Sequence, residues 1–233
     1  MKKIFLLLGL MALLGVSCGS DDKEKDDDGT SDDRNRIAQN ALDQKFANQW
    51  TDEERLQANS AAQATYLSVA EREVFYYLNL MRINPPRFAD TYANAYSGMF
   101  GWKNGYAFDQ RKASLLQDLK LLKPLPVLRP DKRLFDSADC YATNGGRLGA
   151  LAHDRTDTGC DDNIGLAECC SFKGYTTGLS VVMDLLIDAG ENNTALGHRR
   201  ILLNGLYEWM GVAIRPHKDY VSMVVMDFHA IQP

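Results

Sequence analysis

The chain predicts an α+β fold in which helices cover an antiparallel sheet, and three observations carry that reading. Apolar residues recur at helical spacing from Glu71 to Ile83, with Val74, Phe75, Leu78 and Met81 on one face. Strand-like runs come only late in the chain, at 165–172, 209–214 and 220–228. The last two are joined by Arg215-Pro216-His217-Lys218-Asp219, a short polar link that makes a hairpin. Helices first and strands afterwards argue for helices laid on a sheet rather than threaded between parallel strands. The sequence shows no internal repeat.

The start of the chain concerns location. Lys2-Lys3 precede an apolar run, Ile4 to Val16, that is too short to span a bilayer, so residues 1–17 read as a signal peptide. The run ends in Leu14-Gly15-Val16-Ser17-Cys18, which resembles a bacterial lipobox, although Gly15 stands where an aliphatic residue is usual. That resemblance implies that Cys18 carries lipid, an anchor to the membrane rather than a span. Residues 18–33 are rich in Asp and nearly free of apolar side chains, so they read as a solvated tether. Acids directly after the cysteine resemble the export signal of surface-exposed lipoproteins, which implies the cell envelope, at the outer membrane; a plain spacer is the alternative. The formal net charge of −5 owes much to this stretch. The rest is nearly balanced, and nothing in it invites nucleic acid.

Residues 34–67 are rich in Ala, Gln, Leu and Glu, with Phe46 and Trp50 as large apolar anchors and Thr51-Asp52-Glu53-Glu54 as a helix start. The segment reads as a helical linker or as an N-terminal extension of the domain. The domain itself is expected over 68–233, about 165 residues, enough to bury roughly two-thirds of its surface. Asn84-Pro85-Pro86 ends the first helix and starts another with Phe88, Tyr92, Ala95 and Tyr96 as its stripe. Residues 97–109 read as a Gly- and aromatic-rich loop, 111–122 as a shorter helix and 124–130 as an extended connector. Pro130-Asp131 opens a helix that buries Leu134, Ala138, Tyr141 and Ala142 and frays at Gly145-Gly146. Residues 180–188 form a helix with Val181, Val182, Leu185 and Leu186 inward, and Gly190 is its expected stop. Asp184 and Asp188 lie one turn apart on its other face. Gly197 is expected to supply a sharp turn before His198, and the apolar run Ile201, Leu202 and Leu203 buries the next segment.

Four cysteines remain beside Cys18, an even set suited to an oxidising compartment. A bond between the neighbours Cys169 and Cys170 would be strained. The expectation is one bond from Cys140 and one from Cys160, each to one of that pair. A nucleophilic thiol is the alternative, and it requires an accessible cysteine of low pKa.

Four polar residues flank apolar elements: His153 after the Pro130 helix, Glu168 on the first strand, Asp188 at a helix end and His198 after a glycine. Arg199 and Arg200 read as helix-end or salt-bridge residues, and His217 and His229 fall outside the cluster. Taken in order, Asn79 through Phe88, His153, the 165–171 strand, Leu186–Asp188, Gly197-His198-Arg199-Arg200-Ile201-Leu202 and the final hairpin resemble a CAP domain. This is the family of cysteine-rich secretory, antigen 5 and pathogenesis-related 1 proteins, also called SCP-like. The resemblance covers about residues 70–233 and implies an α-β-α sandwich whose cleft carries a His/Glu/Glu/His tetrad. Carried over, His153 and His198 take the histidine places and Glu168 the first acid. Asp188 takes the second acid place, one methylene shorter than usual, and Glu191 competes for it. Glu168-Cys169-Cys170 departs from the family's usual run around an intact acid.

Two imidazoles and two carboxylates suit a divalent ion, zinc first, with an open position that could activate water. A hydrogen-bonded network without metal is the alternative. The resemblance implies a binding or interaction module on a lipid anchor, facing a small-molecule, lipid or protein ligand. A metal-dependent hydrolase of protease type, using the same cleft, is the second reading. No nucleophile elbow or paired-acid motif supports it independently.

Overall fold

The computed structural model describes residues 31–99, 107–160, 164–174, 177–190 and 195–233. The leader, Cys18, most of the tether and Glu191 lie outside these residues. The first helix, α1 (Ser31–Phe46), begins inside the expected tether. Next comes α2 (Asp52–Ala58), started by a capping box. The Thr51 side chain accepts from the Glu54 amide at 3.1 Å, and Glu54 accepts from the Thr51 amide at 2.9 Å.

The sequence left two roles open for 34–67, and the structure packs this stretch onto the domain. Phe46 and Trp50 are buried in the common core. The Asp43 carboxylate accepts from the Tyr77 hydroxyl at 2.7 Å and from the Tyr92 hydroxyl at 3.0 Å, and its burial there raises its pKa. Arg87 stacks over the Trp50 ring and donates to Glu54 at 2.6 Å.

The domain proper opens with α3 (Val69–Ile83), whose capping box is Ser68 with Glu71. Val74, Phe75, Leu78 and Met81 are buried as their spacing predicts, and so are Asn79 and Arg82. The Asn79 amide grips the Leu128 backbone both ways, donating to its carbonyl at 3.0 Å and accepting from its amide at 2.7 Å. After α4 (Pro85–Phe88) the helical path widens over Ala89–Ala93, and α5 (Phe108–Leu121) follows.

The extended connector ends in a short strand missed in the sequence, β1 (Arg129–Pro130), which pairs parallel with the later strand β3 (Trp209–Pro216) at Trp209 and Met210. Its proline is tolerated because it is an edge strand. Next is α6 (Lys132–Leu148), N-capped by Asp131. It does not fray at Gly145-Gly146 as expected but runs on to Gly149, whose φ of 80° ends it in the left-handed region. Gly146 serves close approach instead: a Cβ there would lie 2.4 Å from the Pro216 carbonyl oxygen.

Then come β2 (Ala167–Lys173), α7 (Gly178–Ile187) and α8 (Gly197–Leu202). The predicted hairpin, β3 and β4 (Ser222–His229), closes the chain, with its link at 217–221, two residues later than the expected 215–219. The four-stranded sheet has the order β1-β3-β4-β2 and is mixed: β1 runs parallel to β3, while β3–β4 and β4–β2 are antiparallel. Helix α6 packs on β3 and β4, while α3 reaches β3, α7 packs on α3, and α8 touches β2.

Two turns differ from expectation. Helix α7 stops at Ile187, before Gly190, because Asp188 takes a left-handed conformation with φ 54°. The turn ahead of α8 is made by Leu196, φ 51°, while Gly197 is already helical. Non-glycine residues hold such angles only where their surroundings fix them. For Asp188 the fixing comes from His198, whose backbone amide donates to its carboxylate.

Candidate functional site

The sheet register places the first acid. Glu168 on β2 lies opposite Asp227 on β4, and Asp227 lies opposite Gly211 on β3. Directly opposed residues share a face, as do residues two apart on one strand. Glu168, Cys170, Asp227 and Gly211 therefore share the face that α6 covers, since a Cβ on Gly211 would meet the α6 backbone at Leu134 and Phe135. Cys169 points the other way.

The segment 149–160 between α6 and β2 brings His153 and Arg155 to that face. Its hold on the fold comes from several bonds: Ala150 donates to Gly145 O at 2.8 Å, Tyr141 donates to Ala152 O at 3.2 Å, and His217 donates to Ala150 O at 3.0 Å. His217 Nδ1 meanwhile accepts from the Asp219 and Tyr220 amides at 3.1 and 3.2 Å, which fixes its tautomer. His217 is thus a structural pin.

His153 Nδ1 lies 2.7 Å from Glu168 Oε1, and Arg155 donates to Glu168 Oε2. Arg155 also reaches Asp227 Oδ2 at 3.4 Å and lies 4.7 Å from the centre of the Tyr141 ring. Burial opposes charge on Glu168, but the bonds from His153 and Arg155 outweigh it and hold that carboxyl below its ordinary range. Asp227 is driven upward, by burial first and by the neighbouring Glu168 charge as well. The bond to Glu168 raises His153. The His153 side chain remains 55% exposed, whereas Glu168 is 6% exposed, so the imidazole forms the rim and the carboxylate the floor. Between them opens a cleft of about 690 Å³, lined by His153, Asp154, Arg155, Gly165, Leu166 and Glu168.

Cys170 completes this group. Donor atoms of His153, Glu168 and Cys170 all lie within 4.8 Å of one another, and this is the group of three donors among the described residues that could hold a metal ion. Asp188 and His198 form a separate pair: His198 Nδ1 lies 3.0 Å from Asp188 Oδ1, and the His198 amide donates to Asp188 Oδ2 at 3.2 Å. Asp188 is 2% exposed and contributes to the raised pKa of Cys169, the cysteine that faces away from Glu168. The sequence gathered four residues; the structure joins them as two histidine–carboxylate pairs and adds Cys170 to the first. Arg199 behaves as a helix-end residue, donating to Leu186 O at 2.6 Å and Ile187 O at 2.9 Å.

The disulfide expectation is corrected. Cys140 and Cys160 bond to each other across a Cα separation of 5.8 Å, and Cys169 and Cys170 are buried free thiols. The reason is alternation: adjacent strand residues point to opposite faces, so the pair cannot both turn toward α6. Burial raises both thiols well above their ordinary value, which removes the nucleophilic reading. The chain lacking Cys18 should therefore show no thiol reactive to an aromatic disulfide reagent while native, and two after unfolding without reductant. No thiol after unfolding would contradict this pairing.

Sequence reasoning missed Arg155, Cys170 and Asp227 as members of the site. Two signals were present. Glu168 and Cys170 are two apart on a strand, and Asp227 is an acid inside an apolar run, Met223-Val224-Val225-Met226-Asp227-Phe228. Compared with known proteins, no family model matches the chain and no curated protein matches it significantly.

Proposed function

We propose that this chain is a CAP-like binding module, held at the cell envelope by lipid on Cys18, whose cleft holds a divalent ion, zinc first, and offers it to a small, lipid-like or protein ligand. The observation that carries the reading is the His153–Glu168 pair at 2.7 Å on an open cleft, with the Cys170 thiol beside it. Imidazole, carboxylate and thiolate are each zinc donors, and three protein ligands leave one position for a ligand from outside. Arg155 bonds Glu168 at Oε2, so Oε1 and the imidazole face the cleft side of the network. Helices packed on the sheet, together with the ordered run of residues from Asn79 to the final hairpin, support the CAP-like α-β-α reading.

The cleft also suits the second reading, a metal-dependent hydrolase, because the half-exposed His153 leaves room for a metal-bound water. Peptide hydrolysis that stops with chelator and returns with zinc would favour it. Binding ranks first because no nucleophile elbow or paired-acid motif in the sequence supports hydrolysis independently.

Calorimetric titration tests the proposal. Zinc should bind the wild type, and His153→Ala and Glu168→Gln should each weaken it by about a hundredfold or more, beyond the 10–100-fold typical of losing an outer partner. Equal binding in all three would reject the site. For the anchor, no helix among the described residues is long and apolar enough to cross a membrane. Cys18→Ser should move the protein from the membrane fraction to the soluble one, and unchanged fractionation would reject the lipid reading.

A further inference from the structure

We propose that the third donor, beside the floor of this cleft, is the Cys170 thiolate rather than His198, so that the site selects thiophilic ions such as zinc and cadmium over magnesium and calcium. The inference rests on the metal-binding reading of the cleft and names its ligand set and its preference.

Strand alternation supplies the geometry. Glu168 and Cys170 project from the same face of β2, and His153 comes over that face from the segment 149–160. Their donor atoms already lie within 4.8 Å of one another, and tetrahedral zinc, with bonds of about 2.0–2.3 Å, needs only a small further approach. His198 is not among these close donors: its Nδ1 and its backbone amide both engage Asp188, which sits on the Cys169 side of the strand. The cleft reaches Glu168 from solvent, so an ion has a route to the floor.

Binding is a substitution without redox change. The Cys170 S–H bond breaks, its proton leaves to buffer, and a metal–sulfur bond takes its place. Hard ions gain little from this exchange because they take oxygen donors, whereas zinc and cadmium favour thiolate. The nearby Arg155 cation repels every divalent ion alike and so does not set the preference.

The test uses the full-length chain with Cys18→Ser, so that Cys169 and Cys170 are its free thiols, and cobalt(II) as the spectroscopic probe. Cobalt should give a near-ultraviolet sulfur-to-metal charge-transfer band. Cys170→Ser should abolish the band and weaken zinc by about a hundredfold or more. Cys169→Ser and His198→Ala should keep the band, with zinc affinity unchanged within about twofold, as for independent sites. Zinc or cadmium should displace the cobalt, while excess magnesium or calcium should not. If Cys170→Ser fails to fold by circular dichroism, the band in Cys169→Ser carries the assignment, because Cys170 is then the remaining thiol. Cobalt and zinc binding without the band, or with a band lost in His198→Ala, overturns this inference and leaves the binding reading standing. No binding of either ion by the wild type overturns both.

Discussion

Arg82→Met should destabilise the protein by about 4 kcal/mol or more, read as a lower urea midpoint at unchanged slope. Arg82 is fully buried in α3 and is held by main-chain oxygens. Nε donates to Pro126 O at 2.6 Å, Nη1 to Leu202 O at 3.0 Å and Asn204 O at 3.2 Å, and Nη2 to Tyr207 O at 2.7 Å. Burial lowers its pKa to about 10, so the side chain stays charged at neutral pH. One side chain thus fixes the connector before β1 and the turn before β3 to the same point of α3. Methionine fills the space but leaves four carbonyls without a donor, each costing about 1–3 kcal/mol where burial is complete. Relief of the buried charge offsets part of that sum. Arg82→Lys should fall between, since three donors on a compact ammonium cannot span four carbonyls. A loss under about 1 kcal/mol for the methionine variant would mean that the turns hold without this clamp.

Gly211→Ala should be nearly as damaging, by about 3 kcal/mol. The added carbon would lie 2.1 Å from Leu134 C and 2.2 Å from Phe135 N, both in the first turn of α6. No side-chain rotation relieves a clash with backbone, so α6 must lift from β3. Gly197→Ala is the control, because nothing lies within 4 Å of a Cβ there. That substitution sits in a helix and should be neutral or mildly stabilising. Thermal unfolding of the two variants side by side checks the pair, and equal midpoints would refute the close packing of α6 on the sheet.

The parts of the fold that were legible in the sequence are those where one short-range pattern decides. Helix α3 declared itself because Val74, Phe75, Leu78 and Met81 repeat at helical spacing and are all buried. The β3–β4 hairpin did so because two apolar runs flank one short polar link. What failed was set by distant partners. Gly145 and Gly146 read as helix breakers, yet they permit contact with Tyr141 and Pro216. Asp188, not Gly190, ends α7 because His198, ten residues on, engages its carboxylate. The site followed the same rule. His153 and Glu168 were found as residue types, but Arg155 and Asp227 became visible only when the strand register set Asp227 against Glu168.

The bond between Cys140 and Cys160 makes a closed covalent loop of the chain between them, and His153 and Arg155 both lie on it. A protease that cuts the exposed stretch around Leu151–Asp154 therefore releases nothing. The two pieces stay joined through sulfur, migrate as one band without reductant, and separate only when the bond is reduced. A nicked molecule keeps both halves of its rim on the same body, so the cleft outlives the continuity of its own backbone.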